Sequence, residues 1–151
     1  MNTIPVVKLR KSFNTTIQLL DNNRIQYWLG RGLVEQVYQG IIDDDEVNHD
    51  IDFHILFKNK EPLLKILKTN QYIIKNVREY KIQILGKPDS RRIEFTFLKD
   101  DPSNESLYTH ESKGISYPCP KKLFGSAQLK ISGVNVFIPY PIDEYLKHSL
   151  K

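Results

Sequence analysis

The chain has 151 residues, of which 40% are hydrophobic, 11% aromatic and 26% charged; this fits one globular domain with one substantial core and excludes a disordered or repetitive chain. No apolar run is long enough to span a bilayer, no basic cluster precedes an apolar segment at the start, and lone Cys119, between Pro118 and Pro120, has no cysteine partner for a disulfide or zinc, so its role is packing. The net charge of +4 is spread out and interrupted by Asp43-Asp44-Asp45-Glu46, so there is no basic stripe for nucleic acid; the excess either attracts a polyanionic small molecule or carries no message. The expectation is a soluble, unexported, cytoplasmic protein.

Phe13, Ile17 and Leu20 recur at helical spacing behind Ser12, which predicts an amphipathic helix over 12–23, ended by Asn22-Asn23. Gln26-Tyr27-Trp28-Leu29 reads as a short buried strand. Gly30-Arg31-Gly32 turns it into a second helix, Leu33 to Gln39, with Gly40 as C-cap. The acidic run at 43–46 lacks the alternating ligands and fixed glycine of an EF-hand and reads as a solvated loop.

His49 to Phe57 alternates: Asp50, Asp52 and His54 face one way, Ile51, Phe53 and Ile55 the other. A helix over Glu61 to Lys68, with Pro62 near its start, follows. Tyr72 to Ile74, Tyr80 to Leu85 and Arg92 to Leu98 are predicted as strands of a meander, the last two joined by a turn over 86–90. The polar stretch Lys99 to Glu111 reads as loop. Gln128 to Ile131 and Val134 to Ile138 form a hairpin through Ser132-Gly133, and Asp143 is the expected N-cap of a closing helix through Leu150. Together these elements predict an α+β domain with a mixed sheet and helices packed mainly on one face.

Two carboxylates at i and i+2 on a strand project from the same face about 7 Å apart at their Cα atoms. Asp50 and Asp52 can therefore bind a divalent cation together, and magnesium, which takes a few carboxylate oxygens and completes its shell with water and phosphate, suits such a pair. Taken alone, Asp-x-Asp is as often a solvated strand end. Two features favour chemistry. Leu29-Gly30-Arg31-Gly32-Leu33 is a turn whose small residues let phosphate approach a helix N-terminus. Arg92-Ile93-Glu94-Phe95-Thr96-Phe97 repeats the design of an apolar back and a polar front, so Glu94 can join the aspartates from a neighbouring strand. Large aromatics ending a strand usually fill a core, which is the role favoured for Trp28. His49 and His54 complete no zinc spacing and are read as supporting or surface residues.

In this order, Tyr27-Trp28-Leu29-Gly30-Arg31-Gly32, a helix, and His49-Asp50-Ile51-Asp52-Phe53 resemble the signature of the DNA polymerase β-like nucleotidyltransferase superfamily. The nearest branches are the small lincosamide and aminoglycoside nucleotidyltransferases and the LicD-type phosphocholine transferases. The resemblance spans roughly residues 17 to 98, with a softer match from Gly133 to Leu146. It implies a nucleotidyltransferase fold, nucleotide-binding roles for Gly30 and Gly32, with Arg31 between them a further nucleotide-binding candidate, and metal-binding catalytic roles for Asp50, Asp52 and Glu94 with Mg2+ or Mn2+. The partners it implies are a nucleoside triphosphate and a small hydroxyl-bearing acceptor. One departure stands out: Arg31-Gly32 replaces two adjacent small residues, and a bulky cation there either binds phosphate or obstructs the pocket. The function expected is nucleotidyl transfer to a small-molecule hydroxyl. The alternatives are LicD-type phospho-alcohol transfer and a non-catalytic nucleotide-binding or regulatory module of the same fold.

Overall fold

The computed structural model describes residues 3–44, 50–112 and 114–148. His49, half of the acidic run and the end of the expected closing helix lie outside them. The chain order is β1 (Val6–Lys8), α1 (Lys11–Asn22), β2 (Tyr27–Leu29), α2 (Arg31–Gln39), β3 (Ile42–Asp43), β4 (Ile51–Leu56), α3 (Lys60–Thr69), β5 (Ile73–Val77), β6 (Lys81–Leu85), β7 (Arg92–Asp101), β8 (Asn104–Ser112), β9 (Ile115–Pro120), β10 (Gln128–Ile131), β11 (Val134–Phe137) and α4 (Ile142–His148). Among the described residues, no helix is long and apolar enough to cross a membrane.

The main sheet runs β2-β4-β7-β6-β5, and β7 continues into a ladder with β8 and β9. β4 and β7 are parallel; β2 against β4, β6 against β7 and β5 against β6 are antiparallel. This is the mixed sheet expected. A parallel pair cannot be closed by a tight turn. The connection from β4 to β7 therefore passes through α3, β5 and β6, which places β6 and β5, the first two strands of the expected meander, on the far side of β7 from the Asp strand.

Ile51, Phe53 and Ile55 of β4, Ile82 and Ile84 of β6, and Ile93, Phe95 and Phe97 of β7 are all fully buried. They form the apolar back of the sheet that alternation predicts. Phe53 stacks between Phe13 of α1 and Phe95, with ring centroids 5.9 Å away on each side. α1 thus delivers its Phe13, Ile17, Leu20 stripe to this face. Burying one such side chain contributes about 1.5–3 kcal/mol, so the layer between α1 and the sheet is a main source of stability.

Several local expectations change. α4 starts at Ile142, so Asp143 lies in its first turn and is not its N-cap. Arg10, not Ser12, is the N-cap residue of α1, and the carboxylate of Asp89, far along the chain, accepts the Ser12 backbone N–H at 3.2 Å. The expected loop over Lys99 to Glu111 is instead the end of β7 and most of β8, paired with β9 from Leu107↔Pro120 to Ser112↔Ile115. Its polar residues hide a strand because one side is held by ladder bonds and by buried His110, while the turn is set by Asp101, whose Oδ1 accepts from the Ser103 N–H and hydroxyl at 2.8 Å. Asp44, read as part of a solvated run, is buried: its carboxylate accepts from Arg91 Nε at 2.8 Å and from the Arg10 backbone N–H at 3.3 Å. That ion pair ties the N-terminal segment to the entrance of β7.

Candidate active site

The acids gather on the polar face of the sheet. Register pairs Asp52 directly with Glu94 across the parallel β4–β7 ladder, while Asp50 stands just before β4. The antiparallel β6–β7 ladder sets Gln83 opposite Glu94, and the Gln83 amide donates to Asp50 Oδ2 at 2.9 Å and to Glu94 Oε1 at 3.0 Å. Gln83 therefore links Asp50 and Glu94, and Asp52 stands opposite Glu94 in the ladder. Arg92 Nε pairs with Asp50 Oδ1 at 2.9 Å, and Lys81 Nζ with Glu94 Oε1 at 3.2 Å.

Asp52 differs from its neighbours. Its Oδ1 is buried without a hydrogen-bond partner. Burial, then the negative charges of Glu94 and Asp50, push its carboxyl well above the usual carboxylate range, against a smaller opposing pull from Lys81. A buried acid facing two like charges needs either a proton or a cation. Hard carboxylate oxygens with one unpaired, buried oxygen are a donor set that suits Mg2+ or Mn2+. Among the described residues no three acids, histidines or cysteines converge into a ready-made metal cage. In this arrangement Gln83, Lys81 and Arg92 engage Asp50 and Glu94.

Gly30 meets the acid strand from the other side. It is the N-cap residue of α2 and its N–H donates to the Asp52 carbonyl at 2.8 Å. Its backbone is ordinary extended chain, so glycine is required there for space: a Cβ would lie 2.4 Å from Asp52 Cβ. The start of α2, with backbone N–H groups that have no partner within the helix, is thereby pressed against the acids. Arg31 and Gly32 form its first two residues, so the helix begins two residues earlier than the periodicity suggests. The Arg31 side chain runs along α2 to pair with Glu35 at 3.2 Å and donates to the Leu146 carbonyl of α4 at 3.1 Å.

Beyond the acids the same face becomes aromatic and closed. Trp28 is a core residue on this face, as Tyr27 is on the opposite face against Phe53; Trp28 Nε1 donates to the Gly125 carbonyl at 2.8 Å, and its ring meets Phe124 edge-on. His54, two positions beyond Asp52, is buried and shares a 2.6 Å hydrogen bond with the Tyr145 hydroxyl of α4. Burial first, then the nearby His110 ring, holds His54 down at about 3, so it is neutral. Cys119 is buried, as its packing role requires, and burial first, then the charge of Glu144, pushes its thiol up to about 12. Lys81, Gln83 and Arg92 were not singled out as site residues from the sequence. Their signal was present in the alternation of Lys81 and Gln83 with Ile82 and Ile84, which marks a polar front of the same kind as that of Glu94.

No family model and no curated protein matches the sequence. Among solved structures, the lincosamide antibiotic adenylyltransferase LnuA in its lincomycin-bound form superposes with a TM-score of 0.64 at 15% identity, covering 93% of this chain and 86% of that one. The protein has the nucleotidyltransferase fold. The antibiotic-resistance factor ANT(2'')-Ia matches in its solution structure with a TM-score of 0.59 at 14% identity, over 85% of this chain and 63% of that one. Its crystal structure in complex with adenylyl-2''-tobramycin matches with a TM-score of 0.51, also at 14% identity, over 84% of this chain and 66% of that one. These neighbours carry the lincosamide and aminoglycoside side of the sequence resemblance; the LicD-type branch gains no support from them.

Proposed function

We propose that this nucleotidyltransferase-fold chain moves a nucleotidyl group from a nucleoside triphosphate, with Mg2+ or Mn2+, to a hydroxyl of a small molecule. The observation that carries the reading is the placement of Asp52 opposite Glu94, with Asp50 beside them and the start of α2 packed against Asp52 through Gly30. Asp50 and Asp52 hold the divalent cation. Glu94 either completes its ligands or takes the proton from the attacking hydroxyl. When bound, the cation neutralises the phosphates and stabilises the charge that develops on the leaving group. The backbone at Gly30, Arg31 and Gly32 receives phosphate oxygens at the helix N-terminus, where N–H groups and the helix dipole favour an anion. The Arg31 guanidinium, engaged with Glu35 and Leu146, serves to brace α4 against α2.

LnuA is lincomycin-bound and ANT(2'')-Ia is seen with adenylyl-2''-tobramycin, which supports a hydroxyl-bearing small molecule as the acceptor class. A thermal-shift screen of the four nucleoside triphosphates with magnesium tests the reading. At least one is expected to raise the melting temperature, by mass action on the folded state, and the rise should vanish without magnesium and in Asp50→Asn. A screen with no magnesium-dependent shift for any of the four overturns it.

A further inference from the structure

Gln83 makes a contact that neither the fold nor the core requires. Its single amide nitrogen bridges carboxylates on two different segments, Asp50 before β4 and Glu94 on β7, at 2.9 and 3.0 Å. An NH2 group has two donors, and here both are spent on the two acids that flank Asp52. Besides the Asp52 carboxyl, which faces Glu94, the other contacts to these acids are cations that solvent can reach. The Arg92 side chain, paired with Asp50 Oδ1, is 64% exposed, and that of Lys81, paired with Glu94 Oε1, is 33% exposed. Both cations reach the acids from the solvent side on long, flexible side chains, so either can withdraw its charge into water. The amide is different. It is neutral, it sits between the acids at the sheet surface, and it donates to charged oxygens, which makes its hydrogen bonds stronger than neutral ones.

Two negative carboxylates repel, so without a bridge their separation is set by solvent and by side-chain freedom. A divalent cation of small radius demands ligand oxygens at nearly fixed positions. Resting on the proposed function, we propose that Gln83 is a positioning residue that sets the gap between the Asp50 and Glu94 carboxylates for a divalent cation, with Arg92 and Lys81 as counter-charges that leave when the cation enters. Asp52 follows Asp50 on the same strand and pairs with Glu94 across the ladder, and its unpaired Oδ1 is the oxygen left free for that ion.

The test is Mn2+ binding to the full chain, followed by electron paramagnetic resonance of free Mn2+ with and without ATP, with the melting temperature of the metal-free protein as a control for folding. Gln83→Leu is expected to weaken Mn2+ about tenfold or more, the usual size of an effect from a residue that orients metal ligands. Gln83→Asn, one methylene shorter, keeps the polarity but withdraws the amide, and should lose affinity in the same direction. Lys81→Met and Arg92→Met should each tighten Mn2+, since a competing positive charge is removed. If the wild type binds Mn2+ but Gln83→Leu and Gln83→Asn bind it equally well or more tightly, the positioning role is wrong and the metal-dependent reading stands. If Lys81→Met and Arg92→Met leave the affinity unchanged or weaken it, the counter-charge role is wrong. If the wild type binds no Mn2+ in either condition, the metal-dependent reading itself falls, and this inference with it.

Discussion

His110→Phe is expected to make the folded state markedly more resistant to mild acid. His110 is buried, its ring lies 5.6 Å from His54 and 5.7 Å from Tyr117, and its Nε2 has no hydrogen-bond partner. Burial holds it down at about 4 in the folded protein, against about 6.5 in an unfolded chain. Between those values the unfolded state binds the proton and the folded state does not, so stability falls as the pH falls. The stabilisation is fully present above about pH 6.5 and is lost progressively toward pH 4. Working the linkage from pH 7.5 to pH 5 gives a loss of about 2 kcal/mol from this one ring. Phenylalanine keeps an aromatic ring against His54 and Tyr117 and removes the titration. Asp52, whose raised pKa acts in the opposite sense, is common to both proteins and cancels in the comparison. Urea unfolding of wild type and variant at pH 7.5 and pH 5 measures the difference directly. Two proteins whose stabilities drop in parallel, to within about 0.5 kcal/mol, would refute the reasoning, because a shift of this size cannot then come from the buried ring.

Asp52→Asn should raise the melting temperature of the ligand-free protein and abolish its magnesium-dependent nucleotide shift, because burying the acid beside Glu94 and Asp50, or forcing a proton onto it there, costs folding free energy; each kcal/mol relieved corresponds to about 2–4 °C in a scanning melt. A ligand-free variant that melts below wild type would contradict this. Gly30→Ala should cost roughly 1–3 kcal/mol by overpacking, since the added methyl would lie 2.4 Å from Asp52 Cβ, and should weaken nucleotide binding as α2 is pushed from the acids; denaturant titration and calorimetric binding read the two effects separately. Asp44→Ala should destabilise by roughly 3 kcal/mol, because it removes the buried carboxylate that pairs with Arg91 at 2.8 Å and accepts from the Arg10 backbone N–H, a loss that chemical denaturation at neutral pH will detect.

Alternation and spacing determine much of this protein by themselves. The apolar set Ile51, Phe53 and Ile55 and the matching set Ile93, Phe95 and Phe97 name two strands and the face on which each acid stands. The stripe of α1 and the C-cap at Gly40, with φ of 91°, are equally local facts. What periodicity cannot name is the partner across a ladder. That β7 lies parallel beside β4, so that Asp52 faces Glu94, follows from which sheet order best covers the apolar back, a property of the whole chain. The same holds for Gln83, which reaches both acids only because β6 pairs with β7 in that register. Asp44 looked solvated because its neighbours are acidic, and only the arrival of Arg91 and Arg10 from elsewhere in the chain makes its burial affordable. Arg31 reads in sequence as a residue of the turn, yet its side chain is directed by a carbonyl of α4 more than a hundred residues away. Side-chain face is fixed by local backbone geometry, whereas contact and charge balance are fixed by long-range pairing, and it is the second that assembles the site.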